Sequence, residues 1–292
     1  MTLEQLRIFL AVAEREHVTR AAEALNLTQS TVSGAINALE TRHAVKLFHR
    51  IGRRIELSEA GRTLADEARA IVARVSAAEA AMDDLSNIRR GTLTVFASQT
   101  IASYWLPQRL VRFYQQYPQI DLRLEVGNTA QCTKAILSGR AELGFVEGAI
   151  HEPTVSVERV ASDRLVVIVG HEHPWANRQP ILPQDLHETE WVLREPGSGT
   201  RSSFERALVE LGLSRDSLRV AFELPSNEAI CAAVEAGQLA TAVSQTVAQA
   251  GVSTGKLCIM PLELPSREFC LIRHRERHRT RASEAFRELV LK

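Results

Sequence analysis

The sequence predicts an all-α head built on a winged helix-turn-helix, a long linker helix, and then an α/β domain. Three observations carry that expectation. Two apolar-periodic segments flank the turn-like Asn26-Leu27-Thr28. Apolar residues alternate in steps of four and three from Leu64 to Leu85. Beyond Gly91, strand-like and helix-like stretches alternate to the end.

In the head, residues 3–14 read as a helix with Leu3, Leu6, Phe9 (or Leu10) and Ala13 on one face. Thr19 is placed to cap a second helix over Arg20 to Leu25, and Thr28 a third that reaches about Glu40. Leu25, Val32, Ile36 and Leu39 step by seven, four and three, which turns one apolar stripe inward. That leaves Gln29, Ser30, Thr31 and Ser33 in the exposed first turns. Short hydroxyls and an amide there can meet base edges and phosphates in a major groove, and a helix N-terminus itself favours phosphate.

The segment from Thr41 to Ile55 carries Arg42, Lys46, Arg50, Arg53 and Arg54 and no acid. The whole chain balances 35 basic against 35 acidic residues, so the patch is local, the usual footprint of a small DNA-binding module. Leu47-Phe48 and Ile55-Glu56-Leu57 flank Gly52-Arg53-Arg54, a hairpin wing with two arginines at its tip. Ser58 then caps a helix to about Ile88. Leu64, Ala68, Ile71, Val75, Ala78, Met82 and Leu85 form a seam that calls for a partner helix, most simply from a second subunit. Two such heads can read two half-sites.

Residues 87–91 read as a hinge. Strands are expected at 92–98, 121–128, 142–148, 164–170, 221–226, 240–244 and 269–274. Helices are expected at 104–118, 132–139, 202–212, 227–237 and from Ser283 onward. Alternation of this kind implies mostly parallel sheets with ligands at strand C-termini.

The start, MTLEQLRIFLAVAERE, places Glu4 where a signal peptide carries basic residues. The longest apolar runs, such as LVVIV, are too short for a bilayer. Cys132, Cys231, Cys258 and Cys270 lack CxxC spacing and read as idle thiols of a cytoplasmic protein, with no cofactor expected.

Four stretches together carry a resemblance: FLAVAE (9–14), TRAAEALNLTQSTVSGAINALE (19–40), LFHRIGRRIELSEAG (47–61) and the strand-turn-helix segments after Gly91. In this order the chain resembles a LysR-type transcriptional regulator over its whole length. The resemblance implies a DNA-binding domain at 1–58, a linker and dimerisation helix at 59–88, and an effector-binding domain at 89–292. That last domain is expected to be two-lobed and periplasmic-binding-protein-like, with lobe one about 91–161 and 267–292 and lobe two about 162–266. The chain should cross between lobes near Ala161–Asp163 and near Pro265–Arg267. Thr28, Gln29, Ser30, Thr31, Ser33, Asn37, Arg42, Arg50, Arg53 and Arg54 are then the expected DNA contacts. Gly34 and Asn37 are smaller than the residues often found at such recognition positions.

In these regulators a small molecule sits between the lobes. The matching positions are Ser98, Gln99 and Thr100; Asn128 and Thr129; Glu147 and Gly148; Ser198, Gly199, Thr200 and Arg201; and Ser226 and Asn227. Gly197-Ser198-Gly199-Thr200 opens a helix, so its backbone N–H groups and hydroxyls, with Arg201, make an anion cradle. REPGSGTR with "GNT" and "VEG" is similar to a branch linked to inorganic sulfur metabolism and carbon fixation. That likeness implies sulfite, sulfate, phosphate, a phosphorylated metabolite or a small carboxylate as effector. It further implies promoter DNA as partner, a homodimer assembling to a homotetramer, and contact with RNA polymerase. Pro225 stands where a glycine is expected, which stiffens the approach to Ser226.

Other features have plain readings. RHRERHRTRA (273–282) is a charged loop expected to be solvated, and His171 and His173 lack a third metal ligand. GxSxG, Walker A, GxGxxG and HExxH are all absent, so no enzyme is expected.

Overall fold

A first turn closed in both directions starts the head. Thr2 Oγ1 accepts from Gln5 N at 3.1 Å and the Gln5 side chain accepts from Thr2 N at 2.9 Å, a capping box that opens α1 (Leu3–Arg15). The computed structural model describes residues 1–51, 54–84, 91–177, 181–214 and 217–292, with backbone alone at 50, 51, 54, 77, 80, 81, 83 and 84.

α2 (Val18–Ala24) begins earlier than the sequence suggests, because His17 Nδ1 and not Thr19 accepts from Arg20 N. Asn26 makes the turn with φ +54°, a region its short amide side chain tolerates. Thr28 caps α3 (Gln29–His43) as expected, accepting from Thr31 N at 3.2 Å. The helix continues past Glu40 to a left-handed Ala44. Glu40 explains the continuation. Its buried carboxylate accepts from Leu47 N at 2.9 Å and Lys46 Nζ at 2.6 Å, tying the helix end to the next segment.

β1 (Phe48–Ile51) and β2 (Arg54–Leu57) pair antiparallel, Phe48 opposite Leu57. Arg54 is thus strand rather than turn, and residues 52–53 lie outside those described. Val32, Ile36 and Leu39 bury against Phe9, Val12, Ala65 and Ala68, while Leu25 is half-buried at the edge of that core. Ser58 accepts from Gly61 N at 2.9 Å and starts α4 (Glu59–Asp84). A Cβ at Gly61 would stand 2.1 Å from Leu47 O, so only glycine lets this helix sit on the wing. Along the seam Leu64 is half-buried and Ala68 buried, yet Ile71 is 39% and Met82 69% exposed. Leu85 lies outside the described residues.

Contacts divide the chain into a unit of Met1–Met82 and one comprising Asp83–Leu137 and Ala141–Lys292. In the second, β3 (Gly91–Ser98) runs parallel to β4 (Ile120–Gly127) and β5 (Leu143–Glu147). α5 (Gln99–Tyr104), α6 (Pro107–Gln116) and α7 (Thr129–Ser138) connect them. The expected 104–118 helix is α6, which begins only at Pro107 in its first turn and ends at Gln116, and α5 ahead of it was not expected. β6 (Val155–Gly170) is far longer than the expected strand at 164–170. β7 (Glu190–Arg194), α8 (Gly199–Glu210), β8 (Arg219–Leu224), α9 (Asn227–Ala236) and β9 (Leu239–Ser244) follow. The chain ends with α10 (Gln245–Ser253), β10 (Leu257–Ile259), β11 (Ser266–His274) and α11 (Arg281–Leu291).

The sheet order is β4-β3-β5-β11-β6-β9-β7-β8, with β10 on β6. Strands are parallel within each outer group, but β6 and β11 run antiparallel to each other and to β5 and β9. β6 pairs with β11 up to Arg164 and with β9 from Leu165. Two lobes result, one around Leu93, Phe113, Phe145 and Phe286, the other around Trp175, Trp191, Phe204 and Leu208. Among the described residues, no helix is long and apolar enough to cross a membrane.

Candidate functional site

On α3, Thr28, Gln29, Ser30, Thr31 and Asn37 are exposed and Ser33 is half-buried. The cap makes this face. Thr28 Oγ1 stands 2.9 Å from Ser30 Oγ and 2.8 Å from Thr31 Oγ1, a cluster of hydroxyls at a positive helix end. Arg42 is exposed near the far end of the helix. The side chains of Arg50, Arg53 and Arg54 lie outside the described residues.

In the second unit, the loops at the ends of β3, β4, β5, β7 and β8 bring most of the expected effector residues together at the starts of α5, α7, α8 and α9. Asn128 caps α7 by accepting from Gln131 N at 2.9 Å, and its Nδ2 donates to Glu195 of the other lobe at 3.1 Å. Ala130 N donates to Gly197 O at 3.1 Å. Gln99 Oε1 accepts from Asn227 N at 2.8 Å, while its Nε2 donates to Glu228 at 2.8 Å. Asn227 Nδ2 donates to Thr100 Oγ1 at 3.0 Å. Ser226 caps α9 through Ala229 N at 3.0 Å.

The centre of this meeting is Glu147, 2% exposed. Ser98 Oγ donates to its Oε2, and Thr200 Oγ1 donates to its Oε1 at 3.3 Å. Thr129 Oγ1 donates to its backbone oxygen at 2.9 Å. Gly199 passes directly beneath, where a Cβ would lie 2.1 Å from Glu147 O. Gly148 and Gly197, at φ +92° and +89°, turn the chain on either side. Ser198 is buried and caps α8 through Arg201 N at 3.5 Å.

Arg201 is not brought into the cradle. Its guanidinium turns outward to Glu205 at 2.7 Å, to Glu223, and to Arg194 O at 3.1 Å. Burial lowers its pKa, but the bonds and charges of Glu205 and Glu223 outweigh that and raise it.

Sequence reasoning missed the residue that takes the inner place. Arg267, 1% exposed, lies 2.7 Å from Asp163 through both Nε and Nη2. Its Nη1 donates to Thr200 Oγ1 at 2.9 Å and stands 3.8 Å from Glu147. Arg267 stands between Ser266 and Glu268 ahead of the apolar run FCLI, so nothing in its neighbours set it apart from a solvated strand end. Arg194, also buried, holds Glu195 through Nε at 2.8 Å and Asn227 through Nη1 at 2.9 Å.

Elsewhere the bland readings are mixed. The 273–282 loop is more than solvated: Arg273 pairs with Glu284, and Arg277 donates to the carbonyls of Ile136 and Leu137 at the end of α7. His173 is a core residue whose Nδ1 accepts from Trp175 N at 3.0 Å and whose Nε2 stands 2.9 Å from Thr189 Oγ1. Burial, with the charges of Glu235 and Glu228, pushes the Cys231 thiol up to about 11, far from a reactive thiolate.

A helix-turn-helix head joined to a bilobed domain whose lobes meet at helix N-termini defines a ligand-responsive DNA-binding protein. Residues 3–62 match the bacterial regulatory helix-turn-helix protein, lysR family, and residues 86–292 match the LysR substrate binding domain. The chain is 33% identical over 288 residues to the uncharacterized HTH-type transcriptional regulator YeiE of Escherichia coli (strain K12), covering 98% of this chain and 96% of that one. It is also 33% identical over 293 residues to the RuBisCO operon transcriptional regulator of Allochromatium vinosum, covering 100% and 96%. In fold it is similar to full-length CbnR complexed with its target DNA, with a TM-score of 0.71 at 21% identity over 99% of both chains. The Synechocystis PCC6803 CcmR regulatory domain in complex with 2-PG matches with a TM-score of 0.62 at 24% identity, over 69% of this chain and 96% of that one. The chain belongs to the LysR family of transcriptional regulators. It is a DNA-binding regulator with an effector-binding domain, and its relatives are regulators rather than enzymes.

Proposed function

We propose that this regulator binds promoter DNA as a homodimer and that a small anion held between its lobes changes how it binds and bends that DNA. Gln29, Ser30, Thr31, Ser33 and Asn37 read bases or hold phosphate, and Arg42, Arg50, Arg53 and Arg54 supply the cationic flank. The domains divide at about 58 and 88, the dimer forms along the exposed half of α4, and dimers pair to tetramers that contact RNA polymerase in the cytoplasm.

One observation carries the effector half of this reading. Helices α7, α8 and α9 point their N-termini at the inter-lobe seam, each capped by a side chain of the set expected from sequence. Aligned N–H groups favour negative charge there. Groups from both lobes meet at that seam, so a ligand placed there biases one closure state over another. The CcmR regulatory domain in complex with 2-PG, a neighbour in fold, supports a small-molecule effector for this domain.

A thermal-shift panel on the full chain tests the reading with sulfite, sulfate, phosphate and formate. A ligand selective for the folded state raises the melting point. The expected result is a rise with at least one oxyanion that Thr100→Val weakens by roughly 1.5–3 kcal/mol of binding, the worth of a hydrogen bond to a charged partner. No shift with any of the four removes the small-oxyanion effector and leaves the DNA reading standing.

A further inference from the structure

We propose that Glu147 makes the inter-lobe site selective for oxyanions that still carry a proton, such as hydrogen phosphate, the monoprotonated form of a phosphate monoester or hydrogen sulfite, and closes it to sulfate. This rests on the oxyanion reading above and sharpens it.

Proton bookkeeping at the site leads there. A hydroxyl has one proton to donate. Ser98 spends its proton on Glu147 Oε2, and Thr200 spends its own on Glu147 Oε1 while accepting from Arg267 Nη1. Two of the hydroxyls expected to donate to a ligand therefore already serve a carboxylate of the protein. The donors left over are Thr100 and Ser198. Thr100 Oγ1 accepts from Asn227 Nδ2, and Ser198 Oγ accepts from Arg201 N, so both keep their own protons to give. The start of α8 adds backbone N–H groups. The site thus offers both donors and, at Glu147, an acceptor. An oxyanion bearing one O–H fits both; one without a proton meets the Glu147 carboxylate with lone pairs only.

Charge points the same way. The three guanidiniums near the cradle are already matched: Arg194 by Glu195, Arg201 by Glu205 and Glu223, and Arg267 by Asp163. Glu147 adds a further negative charge, 2% exposed and 3.8 Å from Arg267. An oxyanion with no proton placed beside it gains no unspent cation from these arginines, no hydrogen bond to Glu147, and loses its hydration. Phosphate and sulfite retain a proton on a large fraction of molecules near neutral pH, and sulfate retains none.

Calorimetry on the full-length protein with inorganic phosphate, sulfite and sulfate tests this. For the wild type, phosphate or sulfite should bind about 10- to 100-fold more tightly than sulfate, the worth of one hydrogen bond to a charged acceptor. Glu147→Gln keeps the shape and replaces an acceptor oxygen by an N–H donor. It should weaken phosphate or sulfite and strengthen sulfate until the preference is gone or reversed. Sulfate binding the wild type as well as phosphate and sulfite overturns the role of Glu147 while the oxyanion site stands. No binding of any of the three to either protein overturns the oxyanion reading, and the selectivity falls with it. The wild-type comparison decides the matter even if Glu147→Gln fails to fold, which its melting curve reports.

Discussion

Arg267 joins Asp163, Thr200 and Glu147 at the inter-lobe seam. Removing its charge leaves Asp163 and Glu147, both buried, without their cation, and breaking such a pair costs about 3–5 kcal/mol. Arg267→Met should therefore lower the unfolding free energy of the full chain by that amount in urea titration; a change within experimental error would mean that the two carboxylates find other partners. His173 gives the second test at this scale. Burial lowers its pKa below the ordinary 6.5, so the native ring stays neutral. The unfolded chain binds the proton first as pH falls. Stability from the neutral ring is then fully present above about 6.5 and is lost as pH drops toward the lowered folded value. The melting point of the wild type should fall more steeply between pH 7 and 5 than that of His173→Gln, and parallel curves would contradict this. Of the site, the hydroxyls, the amides and the glycine turns were legible because capping residues announce helix starts. Arg267 and Asp163 were not, since their meeting depends on strand register over about a hundred residues of chain. Arg201 sat at the right place in sequence, but the nearby Glu205 and Glu223 claim it.

Elements were read best where period and cap agree. α3 shows both, with Thr28 at its start and Val32, Ile36 and Leu39 inside. α5 spans Gln99–Tyr104 and is too short to display a helical period. α10 buries only Val247 and Ala248, so its pattern was faint, and β7 and β10 are five and three residues long. The long strand β6 escaped because its first half alternates half-buried and exposed positions, unlike the continuous apolar run that follows. α4 carries this scale's prediction. Its seam is buried at Ala68 yet open at Ile71 and Met82, as expected of a helix that continues onto a partner. Ile71→Glu should halve the mass measured by light scattering at micromolar protein. An unchanged mass would place the dimer contact elsewhere.

At the scale of the whole molecule, a DNA-reading head and a ligand-binding domain on one chain are useful only if the two sites are thermodynamically coupled. Such coupling is reciprocal and typically amounts to about 1–3 kcal/mol, or roughly 5- to 150-fold in affinity. The fold class was legible over the full length because the head's motif is local and the α/β alternation is regular. The coupling itself has no sequence signature, as it resides in the difference between two closure states. The most direct test is a titration of full-length protein against labelled DNA from its own upstream intergenic region, at fixed salt, with and without phosphate or sulfite. The account predicts tight binding that random DNA does not displace, with an affinity or bend angle shifted at least about fivefold or visibly by the anion. Equal affinity for specific and random DNA, or curves that superimpose with and without either anion, would contradict it.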